Sequence, residues 1–212
     1  MMVAARAAER RRVDALDDDK VRRFFDRRLQ KVVVKVLPGE HYMSSRPNEV
    51  LVTILGSCVS ACVRDPAHRI GGMNHFMLPH SENGNWGKAS AHLRYGNYAM
   101  EVLLNKLIAR GCPRAALEIK VFGGANVMSG MSSVGAQNAE FVTRYLKEEG
   151  YRVAAVDLGG DLPRRIHFDP TTGKARHLYL KRAVDKAVFR RERDFGKRME
   201  HTEVEGDVEL FT

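Results

Sequence analysis

The hydrophobic pattern of residues 50–78 predicts three consecutive β-strands. Apolar residues fill 50–55 almost without interruption, which is typical of a buried strand. Residues 58–63 alternate instead, with Val59, Ala61 and Val63 on one side. The segment RDPAHR then has the composition of a turn, and residues 70–78 resume an extended pattern. We expect these strands to form the centre of the fold.

Helical periodicity appears twice further along the chain, at about residues 95–110 and 135–149. The first of these ends at Gly111 before Cys112-Pro113, which is a helix stop signal. Strands are predicted at 117–121 and 153–156, and a hairpin is predicted around Thr172-Gly173. Strands interspersed with helices predict an α/β fold, a layered single domain with mixed β-sheets.

Composition divides the 212-residue chain into three parts. Residues 1–36 read as a charged N-terminal extension that we expect to be helical, 37–181 as the central domain, and 182–212 as a basic C-terminal extension ending in GDVELF. Much of the net charge of +9 lies in the two extensions. Terminal charge runs are more often solvated faces than binding sites, so the charge is a weak indication of acidic partners.

The sequence predicts a cytoplasmic protein. No apolar run approaches the length that spans a bilayer, and the basic residues near the start are not followed by the apolar stretch of a secretory signal. The three cysteines are an odd number, which fits a reducing compartment better than a disulfide framework.

The segment LGSC at 55–58 interrupts the strand pattern and singles out a cysteine. Glycine weakens a strand and often marks a bend or a close backbone approach. Cys58 is therefore a candidate nucleophile presented at the start of the next strand. A cysteine near its ordinary pKa is mostly protonated at neutral pH, so it needs a neighbouring base, most often histidine.

Hairpin geometry supplies such a base. If Pro66 and Ala67 form a two-residue loop, Cys58 lies directly opposite His75 on the adjacent strand. A slip of one residue would place Phe76 there and send His75 to the other face.

Other interpretations of these residues stay open at this point. Cys58 fits a small buried hydrophobe, and Ser57 a nucleophile, although GSC is not the G-x-S-x-G elbow of the α/β hydrolases. A metal site would use Cys58, Cys62, His75 and His80, but these residues have no recognised zinc spacing. We expect neither a metal nor another cofactor.

Several ordered blocks of the chain resemble the chemoreceptor glutamine deamidases, the CheD family of bacterial chemotaxis. The blocks are LGSCVSACVRDP, GGMNHFMLP, KVFGGANVM, VGAQNAEFV and DLGGDLPRRIHFDPTTGK, with GDVELF at the end. The resemblance implies a cysteine amidohydrolase, a protein-glutamine glutaminase, that converts receptor glutamines to glutamates with release of ammonia during chemotactic adaptation. It also implies a fold shared with certain toxin deamidases.

The family's site residues fall on three positions of this chain. Its catalytic cysteine falls on Cys58, its histidine on His75 and its threonine on Thr53, with a short spacer between the threonine and the cysteine. The resemblance further implies methyl-accepting chemoreceptors as the protein substrate and a phosphatase of the CheC type as a possible partner.

Two other functions compete with deamidation. The same thiol could hydrolyse receptor glutamyl methyl esters, because both reactions pass through an acyl thioester. A basic binding module would instead use the terminal Arg and Lys runs on nucleic acid or acidic protein surfaces. No nucleic-acid motif is visible, and such a module has no use for Cys58 or His75, so we expect no nucleic-acid partner and no membrane insertion.

Overall fold

The computed structural model describes residues 22–78, 89–127, 133–180, 188 and 190–196. Its strands are β1 (Arg23–Asp26), β2 (Lys31–Lys35), β3 (His41–Ser44), β4 (Glu49–Leu55), β5 (Val59–Asp65), β6 (Ile70–Asn74), β7 (Glu118–Gly123), β8 (Arg152–Leu158), β9 (Arg164–Phe168) and β10 (Ala175–Tyr179). Its two long helices are α1 (Ala89–Ile108) and α2 (Ser133–Glu148). Residues 188 and 190–196 are also helical and are called the C-terminal helix below.

The strands form two mixed five-stranded sheets. Sheet A has the order β1-β2-β4-β9-β10, in which only β2 and β4 are parallel. Sheet B has the order β3-β6-β5-β7-β8, in which only β7 and β8 are parallel. This is the layered α/β architecture with mixed sheets that the sequence predicts.

Alternation along β5 separates the core into layers. Val59, Ala61 and Val63 pack with apolar residues of α1 and α2 on one face of sheet B. Cys58 and Cys62 point to the other face, where they pack against residues of sheet A such as Leu51. The layers therefore run helices, sheet B, sheet A, and the side of β5 that carries Cys58 faces the interface between the sheets.

A buried arginine ties the two sheets together. Arg164, at the start of β9 in sheet A, is 1% exposed and donates hydrogen bonds to the backbone and side-chain oxygens of Asp157 in β8 of sheet B, at 2.7 and 2.8 Å. It also donates to the carbonyl of Gly159. These charge-assisted bonds offset the cost of burying the guanidinium group.

The predicted helices and the hairpin of β9 and β10 are confirmed, and their ends differ from the prediction by a few residues.

The helical prediction for residues 1–36 is wrong for the part of this range that is described, because β1 and β2 are strands of sheet A. The β-branched run Val32–Val34 favours a strand more strongly than the surrounding charges favour a helix. Residues 1–21 and the GDVELF segment lie outside the described residues. No described helix is long and apolar enough to cross a membrane.

Candidate active site

The three residues predicted from the sequence meet between the two sheets. Thr53 lies on β4 of sheet A, whereas Cys58 directly precedes β5 and His75 directly follows β6, both in sheet B. All three are buried, with Cys58 fully so. The Sγ atom of Cys58, a ring nitrogen of His75 and a carboxylate oxygen of Glu192 lie within 4.8 Å of one another.

The pairing of β5 with β6 differs from the predicted register. Asp65 pairs with Ile70, so the hairpin loop has four residues rather than two. The bridge from Val59 to Phe76 continues this register, which places Met77 rather than His75 opposite Cys58. Direct opposition of Cys58 and His75 is therefore wrong. Because the shift is two residues, His75 keeps the predicted face and becomes a diagonal neighbour, which remains within side-chain reach.

Thr53 determines which nitrogen of His75 carries the proton. The Thr53 hydroxyl donates to the carbonyl of Val36 at 2.7 Å, so its oxygen accepts from Nδ1–H of His75, also at 2.7 Å. The same Nδ1 lies 3.4 Å from the Val36 carbonyl, which can only accept. Nδ1 is thus the protonated nitrogen, and the neutral ring holds its lone pair on Nε2.

The backbone of residues 56–58 is held by its carbonyl groups. The carbonyl of Gly56 accepts from Ala125 N–H at 2.7 Å, and that of Cys58 accepts from Gly124 N–H at 2.8 Å. The Ser57 carbonyl accepts from the side-chain amide of Asn138 at 2.8 Å. All three carbonyls thus have hydrogen-bond partners, and the N–H groups of the same three residues converge on one point.

Glu192 of the C-terminal helix occupies that point. Its Oε1 accepts from the N–H groups of Gly56 at 2.8 Å and Cys58 at 3.1 Å. Its Oε2 accepts from the N–H of Ser57 at 2.8 Å and from the Ser57 hydroxyl at 2.7 Å. A concave set of backbone N–H groups is a typical anion-binding arrangement. Glu192 is buried, with 4% of its surface exposed, and these four hydrogen bonds offset the cost of burying its negative charge.

Burial and charge both hold the Cys58 thiol in its protonated form. Burial raises the pKa of Cys58 well above its ordinary value, and the negative charge of Glu192 raises it further. A preformed thiolate is therefore disfavoured in this conformation, and the thiol needs a base to remove its proton.

The space that remains beside these groups is small. Thr53, His75, Val188 and Glu192 are among the residues that line a cavity of about 30 Å³. A cavity of that size holds only about two water molecules, so it does not admit a glutamine side chain.

Two residues of this site were not predicted from the sequence, Asn138 and Glu192. Asn138 lies in the VGAQNAEFV block, and its position on the buried face of α2 was the available signal. Glu192 lies in an arginine-rich run that reads as a solvated tail. The metal set considered as an alternative, Cys58, Cys62, His75 and His80, is not brought together as a group among the described residues. Cys62 is absent from the group of Cys58, His75 and Glu192, and His80 lies outside the described residues.

Comparisons with known proteins identify the family. Residues 77–178 match the family described as CheD chemotactic sensory transduction. The chain is 52% identical over 193 residues, 91% of each protein, to a Rhodopseudomonas palustris protein named "Probable chemoreceptor glutamine deamidase CheD". A protein of the same name from Hahella chejuensis is 49% identical, and the match covers 90% of each chain. Another, from a Janthinobacterium species, is 45% identical over 89% of this chain and 94% of the relative.

Among solved structures, a Neisseria meningitidis protein of the DUF152 family overlaps 57% of this chain and 51% of its own, with 14% identity and a TM-score of 0.34, which is too weak to bear on fold or function. The identity and coverage of the curated relatives are decisive, and the chain belongs to the CheD family.

Proposed function

We propose that this protein deamidates glutamine side chains of methyl-accepting chemoreceptors, with Cys58 as nucleophile. The observation that carries the proposal is the joint placement of a thiol, an imidazole of defined tautomer and a set of converging N–H groups at one buried point. The substrate class follows from the relatives, which are named chemoreceptor glutamine deamidases.

In the first half of the proposed reaction, the amide becomes a thioester. Nε2 of His75 takes the proton from Cys58 as Sγ attacks the side-chain carbonyl carbon of glutamine. The carbonyl oxygen becomes an oxyanion in the position of Glu192 Oε1, where two N–H donors lie at 2.8 and 3.1 Å. The protonated His75 then gives its proton to the leaving nitrogen, the carbon–nitrogen bond breaks, and ammonia departs.

In the second half, water replaces ammonia. His75 takes a proton from water as its oxygen attacks the γ-glutamyl thioester, and the proton then goes to the departing sulfur of Cys58. Glutamate and the free thiol are the products. Thr53 acts in both halves as a positioning residue, because its hydroxyl fixes the orientation and tautomer of His75.

Mass spectrometry of a receptor fragment tests this proposal. The protein is incubated with a chemoreceptor cytoplasmic domain that carries glutamines, and peptides are mapped before and after. The expected result is conversion of particular glutamines to glutamates with an equal amount of ammonia. Methanol release from a methylated receptor without any loss of glutamine would favour the esterase alternative instead.

The family resemblance supports two further parts of the proposal. A phosphatase of the CheC type is the expected protein partner, and co-purification of the two tests it. We expect the activity in the cytoplasm because the substrate would be the cytoplasmic domains of the receptors, and fractionation of cells expressing the protein tests this.

A further inference from the structure

The contacts of Glu192 go beyond those of a structural ion. A glutamate carboxylate is the product of glutamine deamidation, and Glu192 brings one within 4.8 Å of the Cys58 sulfur and of a ring nitrogen of His75. It satisfies the N–H groups of all three residues at 56–58. The same chain thus holds a glutamyl side chain where the reaction would leave one.

The pattern of donors favours the product over the substrate. Ser57 N–H donates to Oε2 of Glu192 at 2.8 Å. In a glutamine bound the same way, an NH₂ group would stand at that position and two donors would face each other. A carboxylate is therefore the better ligand for this conformation, and a carboxamide is held less tightly.

The C-terminal helix docks through one face. Val188, Glu192 and Phe195 follow each other at intervals of four and three residues, and all three are buried. Phe195 packs in the inter-sheet core and lies over Gly39, where an added Cβ would come within 2.9 Å of its ring. Arg190, Arg193 and Asp194 are exposed. The groove therefore accepts a helix with an apolar, a glutamyl and an aromatic side chain along one stripe.

From these contacts we propose that the C-terminal helix is an intramolecular mimic of the product, bound in the groove that docks the substrate helix. The inference rests on the proposed function, and it assigns one class of partner to the groove: a helix that presents a glutamine between two apolar side chains. A receptor helix must displace the C-terminal helix before its glutamine reaches Cys58. The helix in place leaves room for only about two water molecules beside the site, so the two occupants exclude each other.

The replacement of Glu192 by glutamine gives the sharpest test. Glu192→Gln keeps the length of the side chain and presents an amide to Cys58. We expect residue 192 of the purified variant to become glutamate over time, and to stay glutamine in the double variant Glu192→Gln, Cys58→Ala. A receptor fragment in the same tube reports the intermolecular activity. Residue 192 staying glutamine while the receptor is deamidated would overturn this proposal and leave the proposed function intact. Absence of both conversions would count against the proposed function and, with it, the glutamyl assignment.

Alkylation of Cys58 tests displacement without any substrate. Cys58 is fully buried beneath Glu192, so iodoacetamide reaches it only when the helix leaves. We expect Glu192→Ala to raise the alkylation rate of Cys58 by about tenfold or more. Val188→Ala, which weakens docking of the helix but keeps the Glu192 charge that raises the pKa of Cys58, should raise the rate as well, so that a lowered pKa alone does not explain the result. Asp194→Asn is the matched control, since its carboxylate lies on the same helix and is exposed. Alkylation of Cys62, which is buried on the same face of β5, reports any general loosening of the fold.

Receptor kinetics complete the test. Glu192→Ala is expected to raise kcat/KM for a receptor fragment by about tenfold, and Asp194→Asn to leave it unchanged. Equal alkylation rates in Glu192→Ala and wild type, or lower receptor activity in the variant, would show that Glu192 supports the loop of residues 56–58 rather than blocking it.

Discussion

The Thr53 hydroxyl oxygen lies 2.7 Å from Nδ1 of His75, and this contact joins sheet A to sheet B at the proposed reaction centre. Because the hydroxyl proton goes to the Val36 carbonyl, the threonine acts on the ring as an acceptor. A neutral hydroxyl thus takes the orienting place that a carboxylate has in many triads.

Thr53→Val should separate orientation from packing. Valine has nearly the shape of threonine but no hydroxyl, so His75 loses the acceptor that fixes its tautomer. We expect kcat to fall by about 10- to 100-fold with KM little changed. Thr53→Ser retains the hydroxyl and is expected to keep most of the activity. Activity near that of wild type in Thr53→Val, or a larger loss in Thr53→Ser than in Thr53→Val, would contradict a role for the hydroxyl.

Asn138 should be needed for both stability and activity. It donates to the Ser57 carbonyl and accepts from Leu78 N–H, both at 2.8 Å, and it is fully buried. Asn138→Ala leaves these two backbone groups without their partner, which costs about 1–3 kcal/mol for each. Urea unfolding measures the loss, with Asn105→Ala on the exposed face of α1 as control. An Asn138→Ala protein as stable and active as wild type would remove Asn138 from the support of the loop.

Gly123 should tolerate no side chain, because the nucleophile's backbone lies against it. Its φ is +112°, and an added Cβ would overlap the carbonyl oxygen of Cys58. Gly150 also has a positive φ, +67°, but nothing lies within 4 Å of its Cβ position. Gly150→Ala is expected to cost about 1–2 kcal/mol through backbone strain alone. Gly123→Ala should cost more and also lower kcat, since Cys58 must move. Similar free energies of unfolding for the two variants would contradict the close contact.

The buried thiol of Cys58 should make stability fall at alkaline pH. Its folded pKa is raised above the unfolded value of about 8.5, so the unfolded chain releases this proton first. Below that value the stabilisation is fully present, and above it the free energy of unfolding declines by up to about 1.4 kcal/mol per pH unit. Urea titrations between about pH 7.5 and about pH 10 measure the decline. Cys58→Ala should show a shallower decline, and an unchanged slope would argue against a strongly perturbed thiol.

Local patterns in the sequence predict most of the central fold. The alternation of Val59, Ala61 and Val63 indicates β5 correctly, and the even register shift leaves Cys58 and His75 on one face. The first two strands escape prediction because charged neighbours hide the run Val32–Val34. A register error in the hairpin arises because the four-residue loop has the same turn signals as a shorter one.

Long-range parts of the site are not accessible to such patterns. Thr53 meets His75 only because two sheets stack, and the family resemblance alone points to it. Glu192 contacts Cys58 N–H across 134 residues of chain, and its arginine neighbours give the run the composition of a solvated tail. Contacts of that kind depend on tertiary packing, which no local period encodes.

The most direct test of the account compares two cysteines of the same strand region. Cys58 and Cys62 are both buried on the inter-sheet face, but only Cys58 lies beside His75 and the converging N–H groups. Conversion of receptor glutamine to glutamate is followed by mass spectrometry for wild type, Cys58→Ala and Cys62→Ala. The account predicts a loss of at least about 1000-fold for Cys58→Ala and near-normal conversion for Cys62→Ala. Conversion that persists in Cys58→Ala would contradict it.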